Sequence, residues 1–167
     1  MPQTTDGTGR EAVVVLAGGD LISVPARPDL STRTQVHDLV TAFYRQIVFD
    51  ELLEPVFAEV VEVDWAEHIP KLIDYWCWIL FATEGYRGAV TTAHRHVHDL
   101  QPIRPEHCDR WVSLWVLSID EAWAGPYAER AKGHAVVLMT RMAKRLFGFT
   151  WAAPVPASAA LPLHPET

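Results

Sequence analysis

The sequence predicts an all-α protein with one compact core. Between residues 32 and 147 the apolar residues recur at intervals of three and four, the spacing of helices that bury one face. Four amphipathic segments with short connections predict packed helices, and no strand-like alternation competes with them in the main body. With 167 residues the chain has the length of one domain and needs no disulfide or metal to bury a core.

The first thirty residues differ from the rest. Gly18-Gly19-Asp20 separates two β-branched runs, Val13-Val14-Val15 and Leu21-Ile22-Ser23-Val24. Such a pattern is compatible with a small hairpin. A docked arm and a disordered leader remain alternatives.

Two capping boxes predict where the first two long helices begin. Thr32 with Gln35 opens a helix with the buried stripe Val36, Leu39, Val40, Phe43 and Ile47. Asp64 with Glu67 opens a second helix, which buries Trp65, Ile69, Leu72, Ile73, Trp76 and Leu80. His68 lies three residues after Trp65 and four before Leu72, so it is expected on the buried side.

Proline marks the start of the next two helices. Pro105 precedes the one-sided stripe Cys108, Trp111, Val112, Trp115, Ile119, Ala122 and Trp123. Gly125-Pro126 precedes the inward positions Ala131, Ala135, Leu138, Met142 and Leu146. From Phe149 onward the chain is rich in Pro and Ala, which is typical of a tail.

Composition excludes several classes of function. A formal net charge of −7 argues against nucleic-acid binding, which Lys and Arg drive. The N-terminus lacks the basic region of a signal peptide, and the apolar run from Ala12 to Ala17 is too short to span a bilayer. We therefore expect no membrane association. Cys77 and Cys108 lie in helical stretches, so we expect a reduced, cytoplasmic location.

One short stretch carries three alternating histidines, at positions 94, 96 and 98. On a strand they would share a face and suit zinc, although the flanking sequence is not strand-like. On a helix His94 and His98 share a face, and His96 does not. Taken alone, each histidine is more often a surface residue or a satisfied core residue than a ligand.

Seven landmarks follow one another along the chain: Phe43-Tyr44, Leu53-Glu54-Pro55-Val56-Phe57, Asp64-Trp65 with His68, Tyr75-Trp76, Tyr86-Arg87-Gly88, His94 and Asp109-Arg110-Trp111. In this order they resemble the landmarks of group III truncated haemoglobins, a bacterial truncated globin family. The resemblance implies a two-over-two helical sandwich around haem. It divides the chain into an N-terminal extension, 1–30, a truncated globin domain, 31–148, and a C-terminal tail, 149–167. Cys108 departs from the family, which usually has an aromatic residue there.

The resemblance also implies a haem b (iron protoporphyrin IX) site. His94 would be the proximal iron ligand, with His98 as its rival after a one-turn shift in alignment. Tyr44, His68 and Trp111 would be the polar distal residues. The apolar walls would be Phe43, Phe57, Leu72 and Trp76, for which plain core packing predicts the same burial. Lys71, Arg87 and Arg95 are cations that would suit haem propionates, but solvation at the surface explains each of them better.

The function implied is binding of O2, NO or peroxide. Two strong distal donors would slow the release of oxygen, which favours ligand activation over transport. NO dioxygenase-like and peroxidase-like activity are both compatible, and the first would need a separate reductase, because no dinucleotide-binding fingerprint is present. The alternatives are a non-catalytic haem-based gas sensor or oxygen scavenger and, less favoured, a haem-free helical protein. Monomer and dimer are both open.

Overall fold

A computed structural model describes residues 11–15, 21–58, 65–84, 86–88 and 90–154. The N-terminal hairpin, one of three alternatives for this region, is formed. Strands β1 (Glu11–Val15) and β2 (Leu21–Pro25) pair antiparallel, with Val13 opposite Ser23. The turn at Gly18-Gly19-Asp20 lies outside the described residues.

The body that follows is helical, which confirms the predicted all-α class. Its helices are α1 (Arg33–Ile47), α2 (Glu54–Ala58), α3 (Trp65–Phe81), α4 (Val90–Leu100), α5 (Pro105–Ala122) and α6 (Pro126–Met142). A π-helical turn, Ala143–Phe147, continues α6 and ends at Gly148 in the left-handed conformation. No helix within these described segments is long and apolar enough to cross a membrane.

The first predicted capping box is confirmed. The Thr32 hydroxyl accepts the Gln35 backbone N–H at 3.3 Å, and the Gln35 side chain accepts the Thr32 backbone N–H at 2.9 Å. These two bonds satisfy donors that the start of α1 would otherwise leave without partners. The second predicted box involves Asp64, which lies outside the described residues.

The main core lies between α1, α3, α5 and α6. All five residues of the predicted α1 stripe are buried. From α5 and α6 the core receives Trp115, Ile119, Ala131 and Ala135, as predicted. Ile69 and Leu72 of α3 and Leu138 of α6 are half-buried at its edge. The prediction that Ala122 points inward was wrong: it is exposed, because α5 ends there. Trp123 is buried as predicted, but its backbone is extended and not helical.

A second core joins the start of α5, the end of α6 and the π-helical turn. Trp151 is buried in it, and its indole N–H donates to the Asp109 carboxylate at 2.7 Å. Packing therefore continues past residue 148, the predicted end of the globin domain. Cys108 is fully buried here, and burial raises the pKa of its thiol to about 12, so the thiol stays neutral and unreactive.

The segment before α1 is fastened to the start of α6. The Asp29 carboxylate accepts the backbone N–H groups of Tyr127 at 3.1 Å and Ala128 at 2.9 Å, an N-cap supplied from a distant part of the chain. Gly125 has φ +143°, and a Cβ there would overlap the Asp29 carboxyl group, so only glycine fits. Leu30 beside it is fully buried, so the core also includes residues before position 31.

Candidate functional site

Tyr44 lies at the centre of the predicted site. Its ring meets three predicted site residues edge-on: Phe43 at 5.1 Å, Phe57 at 6.3 Å and His68 at 6.4 Å between ring centroids. Burial raises the pKa of the Tyr44 phenol far above its usual value of 10. The phenol is therefore protonated at any physiological pH, and it is a hydrogen-bond donor.

His68 and His94 come close enough for their charges to interact. Burial lowers the pKa of His68 below 6.5, the positive charges of His94 and Lys71 lower it further, and Glu67 opposes them. His68 extends from the first turns of α3, and His94 lies on α4. Both rings are half-buried. The lowered pKa means that the His68 ring is neutral at physiological pH and presents a free lone pair on one ring nitrogen.

His98, one turn after His94, has a different role. Its Nδ1 accepts the backbone N–H of Ile103 at 3.0 Å, and its ring stacks on Phe147 at 5.1 Å. An Nδ1 that accepts a hydrogen bond requires the proton of a neutral imidazole to be on Nε2. His98 thereby joins the end of α4 to the π-helical turn.

The strand on which the zinc alternative depended is absent from this stretch: residues 90–100 form α4. His96 is exposed and turned away from the face shared by His94 and His98. Across the described part of the chain no three His, Cys, Asp or Glu side chains group as metal ligands would. Zinc binding by the three histidines is not supported.

Trp111 is joined to Tyr44 through Phe43. The Phe43 ring meets the Trp111 indole at 5.1 Å, and Trp111 in turn stacks on Trp115 at 5.8 Å. Trp111 is half-buried, and among the described residues its indole N–H donates to no protein group. The indole is thus a second donor near Tyr44.

The other two residues of the Asp109-Arg110-Trp111 motif hold α5 in place. Asp109 accepts from Trp151, as described above, and the Arg110 guanidinium lies 2.6 Å from Asp50. Asp50 is buried, and it also accepts the backbone N–H groups of Leu52 and Leu53 at 3.2 and 3.1 Å. Sequence reasoning missed Asp50. An aspartate three residues before Leu53-Glu54-Pro55 is a capping signal that would have found it.

Two predicted wall residues are placed differently from one another. Leu72 is half-buried on α3 beside the main core. Trp76 is buried and stacks on Trp115 at 4.3 Å, so it belongs to a column of indoles that continues from Trp111. No ring contact joins Trp76 to Tyr44 or His68 among the described residues.

The predicted cations lie on the surface. Lys71 pairs with Glu67 at 2.5 Å one turn away on α3, and Arg87 and Arg95 are exposed. Next to Arg87, a Cβ on Gly88 would overlap the Tyr86 ring, which explains why glycine ends the Tyr86-Arg87-Gly88 motif.

An open surface pocket of about 350 Å³ lies elsewhere on the protein and includes none of the predicted site residues. It is lined by Phe49, Asp50, Glu51, Leu52 and Arg110.

Comparison with known proteins supports the fold. No family model matches the chain. The crystal structure of the group III truncated haemoglobin from Campylobacter jejuni has a TM-score of 0.61 and 22% identity, covering 70% of this chain and 92% of that one. THB1 of Chlamydomonas reinhardtii has a TM-score of 0.54 and 22% identity, covering 72% of this chain and 93% of that one. The fold is that of a truncated haemoglobin.

Sequence similarity then points to one group within this fold. The group 3 truncated haemoglobin ctb of Campylobacter jejuni is 27% identical over 85 residues, which are 49% of this chain and 65% of that relative. The match thus spans slightly less than two thirds of the relative's length. At low identity, it confirms the predicted resemblance to a group III truncated globin.

Proposed function

We propose that the protein is a haem-binding globin that binds O2 and other diatomic ligands, with His94 as the axial iron ligand. One observation carries the proposal: the His68 ring of α3 meets the ring of the protonated Tyr44 edge-on at 6.4 Å, and His94 of α4 is near enough for its charge to act on His68. The donor set fits haem b, since iron is bound by a neutral imidazole nitrogen and the polar residues are donors. A bound haem would supply reversible ligand binding and the redox chemistry of oxygen, NO or peroxide.

The choice between His94 and His98 rests on the tautomer. An axial histidine binds iron through a nitrogen lone pair and needs its other nitrogen protonated or hydrogen-bonded as a donor. In His98 the Nδ1 lone pair is used by the Ile103 N–H, and Nε2 carries the proton. Binding iron through His98 would therefore break a helix-end hydrogen bond, and this supports His94.

The proposed role of the polar residues is to stabilise charge on the bound ligand. Tyr44 and Trp111 would donate to an oxygen with partial negative charge, each bond contributing about 1.5–3 kcal/mol. His68, at the start of α3, would be the third polar group. The apolar walls would be Phe43, Phe57 and Leu72, with Trp76 one layer behind Trp115.

Absorption spectra of the protein supplied with one equivalent of haem test the proposal, in the ferric and the dithionite-reduced state. We expect a Soret band in the parent chain and its loss or change of character in His94→Ala, with recovery when free imidazole is added. His96→Ala is the matched control, because His96 is exposed on the same helix. His98→Ala should keep the parent spectrum and lose thermal stability. No band in the parent refutes haem binding, and a band lost in His98→Ala but kept in His94→Ala reassigns the ligand.

Ligand-dissociation kinetics and turnover assays distinguish ligand binding alone from NO dioxygenase-like and peroxidase-like activity. We expect O2 dissociation about 10- to 150-fold faster in Tyr44→Phe, from the loss of one hydrogen bond to a charged acceptor. Turnover is proposed in addition to binding. Nitrate formed from NO in the presence of a reductase would support dioxygenation, and peroxide consumed with a reducing phenol would support peroxidase-like activity. Reversible binding without either would leave a sensor or scavenger.

A further inference from the structure

Six oxidisable rings form a continuous path through the molecule, here called the aromatic path. Successive ring centroids are 4.3 to 5.8 Å apart, and the rings run in the order Trp111, Trp115, Trp76, Tyr75, Tyr86 and Trp78. One end, Trp111, is itself a residue of the proposed haem site, and its ring lies 5.1 Å from that of Phe43. The other end, Trp78, has 47% of its surface exposed.

A base stands beside the middle of the aromatic path. The phenol oxygen of Tyr75 lies 2.6 Å from Nε2 of His134, a short hydrogen bond between α3 and α6 in which the phenol O–H donates when the His134 proton is on Nδ1. Burial raises the pKa of Tyr75 to about 12, so the phenol holds its proton in the resting state. Burial, with the positive charges of Arg141 and Arg130, lowers the pKa of His134 below 6.5, so its ring is neutral and Nε2 can accept.

Core packing accounts for the burial of these rings but not for their chemistry. Tryptophan and tyrosine can lose an electron under conditions in which phenylalanine and aliphatic residues cannot. A buried tyrosine is oxidised only if its phenolic proton leaves with the electron, because a charged phenol radical is not stabilised in an apolar core. A hydrogen-bonded neutral imidazole is the group that can take this proton.

We propose that Tyr75 is a redox-active tyrosine with His134 as its proton acceptor, and that the aromatic path carries electrons from the surface at Trp78 to the haem site. The idea rests on the proposed function for its oxidant, a peroxide reduced at haem. One electron leaves Tyr75 through Trp76 toward the haem site, the O–H bond breaks, and the proton moves to Nε2 of His134. An electron entering through Trp78 and Tyr86 then restores the phenol, and His134 returns the proton.

The electrons balance with a small phenol as the external donor. Each phenol gives up one electron and one proton at the surface and becomes a phenoxyl radical. Reduction of one hydrogen peroxide to two waters takes two electrons and two protons, so it consumes two phenols and two passages along the path. The donor need not enter the haem site, which gives the protein access to reductants larger than its ligand pocket.

The test generates the oxidising equivalent without haem. The full chain is irradiated with ruthenium tris-bipyridine and persulfate, a one-electron photo-oxidant that acts from the surface, and is then frozen for electron paramagnetic resonance. We expect a neutral tyrosyl radical that is mostly lost in Tyr75→Phe and unchanged in Tyr127→Phe, the matched control outside the path. Incorporation of 3,5-difluorotyrosine at position 75 should add fluorine splitting to the signal. This labelled protein keeps the phenol and its ring, so the assignment does not depend on a destabilised variant.

Two further variants test the proton acceptor and the entry point. His134→Gln keeps a hydrogen-bond acceptor but cannot take the proton, so the radical yield should fall. Trp78→Phe should lower the yield, and Trp78→Tyr should restore it, because tyrosine can be oxidised and phenylalanine cannot. A signal without fluorine splitting in the labelled protein, or equal yields in the parent and Trp78→Phe, would overturn the proposal.

A separate experiment tests electron transfer between Tyr75 and the proposed haem site. With haem bound, hydrogen peroxide in place of the photo-oxidant should produce the same radical, and Trp115→Phe should diminish it. If the photo-oxidised chain shows the Tyr75 radical but haem gives no Soret band, the proposed function fails and the redox-active tyrosine stands. If haem binds and no Tyr75 radical forms by either route, the path is refuted and the haem function stands.

Discussion

The ion pair between Asp50 and Arg110 gives a sharp test of what holds α5 against the α1–α2 connection. Asp50 is 7% exposed and Arg110 is 47% exposed, so the two partners should not be equally important. The Asp50 carboxylate makes three hydrogen bonds, two with backbone N–H groups and one with the guanidinium. Arg110 is joined to the rest of the structure mainly through this one bond.

The expected magnitudes follow from these partners. Asp50→Ala removes a cap, about 0.5–2 kcal/mol, and the ion pair, about 1 kcal/mol after solvent screening at Arg110, so we expect a loss of about 1.5–3 kcal/mol. Arg110→Ala should cost about 1 kcal/mol, because its removal opens the carboxylate to water while both backbone donors remain. Asp50→Asn keeps the cap through its carbonyl oxygen and should resemble Arg110→Ala.

Urea unfolding followed by tryptophan fluorescence measures these differences. For a chain of this length the loss in Asp50→Ala corresponds to a fall in Tm of about 3–12 °C. The exposed pair of Arg33 and Asp74 is the control, and Arg33→Ala should cost between about 0 and 1 kcal/mol. Equal losses in Asp50→Ala and Arg110→Ala would refute the reasoning, since the backbone donors would then contribute nothing.

Three further predictions concern single contacts. Gly88→Ala should destabilise the protein by about 1–3 kcal/mol, because the new methyl group overlaps the Tyr86 ring. Gly133 has open space around it, so Gly133→Ala should be neutral or stabilising by up to about 1 kcal/mol. Thermal unfolding of the two variants measures the difference. His134 binds its proton less readily when folded, so its contribution to stability is complete above pH 6.5 and is lost as pH falls below it. His134→Gln should flatten the dependence of Tm on pH between 7 and 5, and an unchanged slope would count against this. Asp29→Ala should cost about 0.5–2 kcal/mol through loss of the cap on α6, and hydrogen exchange should quicken at the first turn of that helix; unaltered exchange would contradict it.

The features that sequence could predict are those that depend on neighbours within one helix. The buried stripe of α1 and the Thr32 box follow from spacing alone, because residues three and four apart share a helix face. The error at Ala122 has the same origin, since spacing does not show where the helix stops. The short helix carrying His94 was expected only from resemblance.

Features that depend on contacts between distant segments could not be predicted. Tyr75 and His134 are 59 residues apart and meet only when α3 packs near α6. Trp151 lies in a stretch rich in Pro and Ala, and composition says nothing of the Asp109 carboxylate that receives its indole N–H. The tautomer of His98 depends on the Ile103 backbone, which a sequence pattern does not describe.

The Asp109-Arg110-Trp111 triplet fixes the rotational setting of α5 about its own axis. Successive residues of a helix point about 100° apart, so three in a row reach three different parts of the molecule. One reaches the chain after α6, the next reaches the connection between α1 and α2, and the third reaches the rings beside Tyr44. A turn of α5 by one residue would break the first two contacts at once. The direction in which Trp111 points is therefore set away from the rings beside Tyr44, by the carboxylates of Asp109 and Asp50.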